Sequence, residues 1–149
     1  MPPSTKTRTE DQRVELHQQL ASVPLLAGLT DRVRRRLAEV GKRRTYAADE
    51  TIVKEGTSGT ALYIVLSGRA RVERGGETIG QVVGGEFFGE LALIEEHPRS
   101  ASVIASEETD CLLLPAWEFT ALLEEHPEMA VPIMRTLISR LHSREHHGA

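Results

Sequence analysis

The spacing of apolar positions changes twice along the chain, and each change marks a change of structure. Between Glu10 and Gly41 the apolar residues recur at helical intervals. They are Val14, Leu16, Leu20, Val23, Leu25, Leu26 and Leu29, then Val33, Leu37 and Val40, the pattern of helices that bury one face. Gly28 and Gly41 stop the two stretches and Thr30 or Asp31 caps the second, so the pattern predicts a helical hairpin ahead of the main body.

The middle follows a different rule. Nine of the 12 glycines lie between Gly56 and Gly89, where they separate the short runs Ala61–Leu66, Arg69–Glu73 and Thr78–Val83; Ala101–Ala105 follows. Short β-rich runs with frequent turns predict a small antiparallel roll or barrel. Polar and apolar residues alternate over Arg69–Glu73, as on a sheet with one wet face, and Gly75–Gly76 predicts a tight hairpin turn. After Pro115 the helical period returns. Trp117, Phe119, Leu122 and Leu123 form one apolar face; Met129, Ile133, Met134, Leu137, Ile138 and Leu141 form the next. Pro132 fits only if the last helix begins close to it.

Composition narrows the class. A length of 149 residues suits one domain, expected over 10–145 with flexible tails at 1–9 and 146–149. With 40% hydrophobic residues the chain can bury a core, and a net charge of -4 gives no general attraction to phosphate backbones or anionic lipid. Seven of the 18 cationic side chains cluster at Arg32, Arg34, Arg35, Arg36, Lys42, Arg43 and Arg44. Arg32, Arg35 and Arg36 fall on the wet face of a helix, without interleaved aromatics, so neither nucleic acid nor membrane is expected as a partner. The single cysteine, Cys111, reads as a small buried strand residue and fits a reducing compartment. The runs Ala61–Leu66 and Cys111–Trp117 are far below the roughly 18 residues that span a bilayer, and the start has no apolar signal core, so a cytoplasmic protein is expected. His142, His146 and His147 read as a solvated terminus rather than a metal site, and Trp117 with Phe119 as core packing.

The segment Gly84–Ala105, GGEFFGELALIEEHPRSASVIA, carries the chemistry. Gly89 lets backbone approach a ligand, and the amides of a short helix starting there suit an anion. Glu90 would repel a phosphate but can accept hydrogen bonds from a sugar hydroxyl beside it. Arg99 supplies a planar fork of donors that a phosphate can satisfy bidentately, and Ser100 adds a hydroxyl and an N–H. Taken singly, Arg99 could instead pair with Glu95 or Glu96, and Glu90 could simply face a helix dipole.

The combination F-G-E-L-A-L, a loop, then P-R-S-A-S-V resembles the phosphate-binding cassette of the cyclic nucleotide-binding domain family, which includes catabolite activator protein, the regulatory subunits of protein kinase A and cyclic nucleotide-gated channels. The resemblance runs from about Pro24 to Leu141. It implies an α+β, mainly β fold: an antiparallel, jelly-roll-like β-roll flanked by N-terminal helices and two C-terminal helices. It implies cAMP or cGMP as ligand, with Glu90 on the ribose 2′-hydroxyl, Arg99 on the cyclic phosphate, and Gly89, Leu91 and Ser100 around them. For the base it offers only candidates, Leu141, His142, Arg144 and Glu145, with a lean toward cAMP. A regulatory domain is expected, not an enzyme. A metal-dependent enzyme on a similar roll would need converging histidines, whereas the roll has only His97.

After Glu128 only 21 residues remain, too few for a helix-turn-helix domain of roughly 50 to 60. The expectation is therefore a stand-alone sensor that signals through its C-terminal helices, to a protein partner in trans or within a homodimer. A fragment of a transcription regulator and a degenerate protein-interaction domain are the alternatives. The stripe Met134, Leu137, Ile138 and Leu141 reads equally as a dimer seam or as packing on the roll.

Overall fold

Pro24 breaks the expected helical hairpin into three helices, α1 (Glu10–Ala21), α2 (Pro24–Ala27) and α3 (Asp31–Val40), in a computed structural model that describes residues 10–89 and 97–146. The proline opens α2, where its missing N–H leaves no helical bond unmade. Thr30 caps α3, its Oγ1 accepting from the Val33 N–H at 3.3 Å. Arg34 donates to the carbonyls of Leu26, Ala27 and Leu29, which gives the end of α2 a cation, and pairs with Asp31 at 2.5 Å.

Ten strands follow among the described residues: β1 (Lys42–Tyr46), β2 (Thr51–Val53), β3 (Ser58–Gly59), β4 (Ala61–Ser67), β5 (Arg69–Arg74), β6 (Glu77–Val83), β7 (Phe87–Phe88), β8 (His97–Pro98), β9 (Ser102–Ala105) and β10 (Thr109–Pro115). They form two four-stranded antiparallel sheets, ordered β1-β10-β4-β7 and β2-β9-β5-β6, and a small β3-β8 pair. This is the expected β-roll, with α4 (Ala116–Glu125), a 3₁₀ turn (Pro127–Met129) and α5 (Ala130–His146) behind it.

The two sheets differ in what they face, which explains their different sequence patterns. Strands β4, β7 and β10 of the first sheet are buried on both sides. Leu62, Ile64, Phe87, Leu112 and Leu114 pack with the helices, while Val65, Phe88 and Cys111 point into the roll. Near-continuous apolar runs such as ALYIVL and CLLLP follow from this double burial. The other sheet turns Ala70, Val82, Val103 and Ala105 inward, while Arg69 stays exposed. Gly75 and Gly76, at φ 59° and 82°, make the β5–β6 turn, which needs two left-handed residues.

Two expectations are corrected. Trp117 is 69% exposed, and the core takes Phe119 and Leu122 of α4 with Leu123 packed against it. The single apolar face expected for α5 is two faces. Met129 and Ile133 are buried with Leu137 packed beside them, whereas Val131, Met134, Ile138 and Leu141 are each at least half exposed. The split follows from the 100° step per residue, which turns Met134 away from Ile133 and Ile138 away from Leu137. The basic cluster is also dispersed. Lys42, Arg43 and Arg44 lie on strand β1, Arg43 pairs with Asp110 at 2.5 Å, and Arg34 is committed to α2.

Candidate anion-binding site

Arg99 follows β8 directly, and its backbone is tied to the β2–β3 turn on both sides. Its N–H donates to Thr57 O, and its carbonyl accepts from the Gly56 N–H, each at 2.8 Å. The side chain then enters a slot whose walls are backbone and one ring. Nη2 donates to Ala61 O at 3.0 Å, and the guanidinium carbon stands 5.6 Å from the centroid of the Tyr63 ring. Two glycines make room for it. A Cβ on Gly59 would lie 1.9 Å from Arg99 Nε, and one on Gly89 would lie 2.5 Å from Nη1 and 2.9 Å from Ala61 O. Gly89 also has φ +83°, a conformation that side-chain-bearing residues rarely adopt.

The electrostatics follow from those walls. Ala61 O uses one of the five guanidinium donors, and among the described residues no carboxylate pairs with Arg99. Among the described residues the cation is oriented by Ala61 O without a neutralising partner, and a guanidinium so held can offer a fork of donors to an anion with two oxygens. Burial pushes the Tyr63 phenol above its ordinary value, while Arg99 pulls the other way.

Of the residues singled out from the sequence, Gly89 and Arg99 are brought together. Ser100 is exposed, and its carbonyl accepts from Arg74 Nε at 3.0 Å. Glu90 and Leu91, like Glu95 and Glu96, lie outside the described residues. Leu141 is 55% exposed on the outer stripe of α5 and His142 is exposed beside it. Arg144 and Glu145 belong to α5, with side chains outside the described residues. Sequence reasoning missed Gly59, Ala61 and Tyr63. Gly59 reads as an ordinary turn glycine in EGTSGT, because nothing in that segment announces an arginine 40 positions later. It also missed Arg140 on α5, which donates from Nη1 to Phe87 O and lies 4.3 Å from the Phe87 ring centroid. Elsewhere, Cys111 is buried and its thiol is pushed up to about 12, chiefly by burial. Among the described residues no group of three His, Cys, Asp or Glu comes together, and no helix is long and apolar enough to cross a membrane.

The pattern of the family described as cyclic nucleotide-binding domain matches residues 43–126. The chain is 36% identical over 104 residues to a cAMP-dependent protein kinase regulatory subunit of Hypocrea atroviridis, covering 70% of this chain and 22% of that protein. It is 39% identical over 98 residues to a cGMP-dependent protein kinase of Toxoplasma gondii, covering 66% and 10%. The solved regulatory domain of Toxoplasma gondii PKA with cAMP superposes with a TM-score of 0.74 at 28% identity, over 90% of this chain and 51% of that one. The chain belongs to the cyclic nucleotide-binding domain family. It spans about half or less of the length of these relatives.

Proposed function

We propose that this chain binds a cyclic purine nucleotide, cAMP or cGMP, as a regulatory rather than a catalytic domain. The observation that carries the reading is the Arg99 slot: a half-buried guanidinium, oriented by Gly59, Gly89, Ala61 O and Tyr63 and paired with no described carboxylate. A cyclic phosphate carries one negative charge and two exocyclic oxygens, which match that fork. Glu90, directly after Gly89, takes the ribose 2′-hydroxyl; Leu91 and Ser100 contribute backbone N–H groups or a hydroxyl around the phosphate. Ser100 fits either purine, and a relative named for cAMP and one named for cGMP match about equally well.

The output is movement of the C-terminal helices. Arg140 of α5 holds the carbonyl and ring of Phe87, two residues before Gly89, so a shift in the segment after Gly89 bears on the same strand that α5 grips. A ligand that prefers one arrangement of this contact shifts the population of α5 by its differential affinity. The outer stripe Val131, Met134, Ile138 and Leu141, spaced three, four and three residues apart, is the surface on which a second copy or a protein partner reads that movement. Titration calorimetry with cAMP, cGMP and 5′-AMP tests the reading. Binding of a cyclic nucleotide with 5′-AMP much weaker is the expected result; equal binding of 5′-AMP removes the cyclic phosphate assignment.

A further inference from the structure

We propose that Tyr63 is a positioning residue for Arg99, holding the guanidinium in its ligand-ready orientation before any phosphate arrives. The inference rests on the binding role proposed above for Arg99. A free arginine side chain has several rotatable bonds, and fixing them costs binding free energy unless the protein has already done so. Tyr63 can do this because its own ring is held. Tyr63 and Phe88 are register partners across β4 and β7, and their rings stack at 4.9 Å with 6° between planes. The guanidinium carbon stands over the Tyr63 ring, 5.6 Å from its centroid and within cation–π range. Ala61, two residues earlier on the same strand, adds the carbonyl that takes Nη2. Phe88 supports the ring and its neighbour Gly89 clears the opposite space, so consecutive residues of one short strand end serve both needs.

The choice of an aromatic is chemically specific. A carboxylate would also orient Arg99, but it would neutralise the cation and compete with the phosphate. A ring attracts the guanidinium through its quadrupole and leaves the N–H donors available.

The test combines affinity with a spectroscopic signature. Tyr63→Leu, or Tyr63→Met should the leucine variant fail to fold, lowers cAMP affinity by about 2- to 30-fold, the range of a single cation–π contact. Tyr63→Phe keeps the ring and stays within about twofold of the parent. In an Arg99→Lys background, which has no planar guanidinium, Tyr63→Leu has less than about a twofold effect. Equal losses in both backgrounds, or a phenylalanine variant as weak as the leucine one, overturn the proposal. In the ligand-free protein, nuclear magnetic resonance finds the Arg99 Hδ and Hε signals moved upfield by the ring current, retained in Tyr63→Phe and lost in Tyr63→Leu. If that signature holds and the parent binds no cyclic nucleotide, the binding role falls and the placement of the arginine stands. If the signature is absent, the positioning proposal falls whatever the titrations show.

Discussion

Adding one methyl group at Gly59 is the sharpest perturbation the site allows. In Gly59→Ala the new Cβ would lie 1.9 Å from Arg99 Nε, 2.2 Å from Cζ and 2.3 Å from Nη2, all in one side chain. Ordinary contact needs roughly 3.5 Å, so the guanidinium must retreat by about 1.5 Å. A displacement of that size breaks the bond to Ala61 O and removes the planar fork from its place. Gly59 does not have a left-handed φ, so alanine adds no backbone strain and the methyl acts through Arg99. Losing a charge-assisted hydrogen bond costs about 1.5–3 kcal/mol, which predicts cAMP binding weaker by about 10- to 150-fold. Calorimetric titration reads the affinity, and thermal melting checks that the fold is kept. In an Arg99→Ala background the same methyl meets no guanidinium, so adding it there has little effect on melting. Affinity within about threefold of the parent for Gly59→Ala would refute the reasoning, since the slot would not be what orients the arginine.

Four further outcomes are expected. Glu90→Gln weakens cAMP but changes the affinity of 2′-deoxy-cAMP much less; equal losses for both ligands would show that Glu90 is not the ribose partner. Cys111 resists thiol reagents at pH 8 until denaturant is added, because its thiol is buried and raised to about 12. The unfolded thiol ionises first, so folded stability declines as pH rises above the ordinary value of 9.0, and Cys111→Ala flattens that decline; pH curves of denaturant unfolding measure both. Met134→Glu with Ile138→Glu places charge on the exposed stripe of α5; if that stripe pairs two copies, sedimentation velocity finds the parent chain dimeric and the variant monomeric, with cAMP affinity nearly unchanged. A dimer that survives both changes would place its interface elsewhere.

How much of this was legible in the sequence depends on whether the information was local. The β5–β6 hairpin was readable because Arg69–Glu73 alternates against water on one side and Gly75–Gly76 sits where two positive φ values are needed. Strand β1 was hidden because four of its five residues are exposed and three are cationic, so KRRTY reads as a charged surface rather than a sheet edge. The error over α5 has a similar cause. Helical spacing shows that Met134, Ile138 and Leu141 are apolar at regular intervals, but only the packing of Ile133 and Leu137 against the core shows that those three point the other way. Grouping Trp117 with Phe119, Leu122 and Leu123 on one apolar face fails because two residues of helix turn it about 200° from the buried Phe119. At the site, Gly89 and Arg99 share one motif and were found together. Gly59, Ala61 and Tyr63 reach Arg99 only through the register of β3 with β8 and of β4 with β7, a relation that no spacing within one segment encodes.

The most direct test of the account is a side-by-side titration of the unmodified chain and its Arg99→Ala variant with cAMP, after melting curves confirm that both are folded. The account predicts saturable binding by the unmodified chain and binding weakened by at least about 100-fold in the variant, the scale of a lost ionic, bidentate contact. Equal affinity of the two folded proteins would contradict it, because the cation in the slot would then have no part in holding the nucleotide.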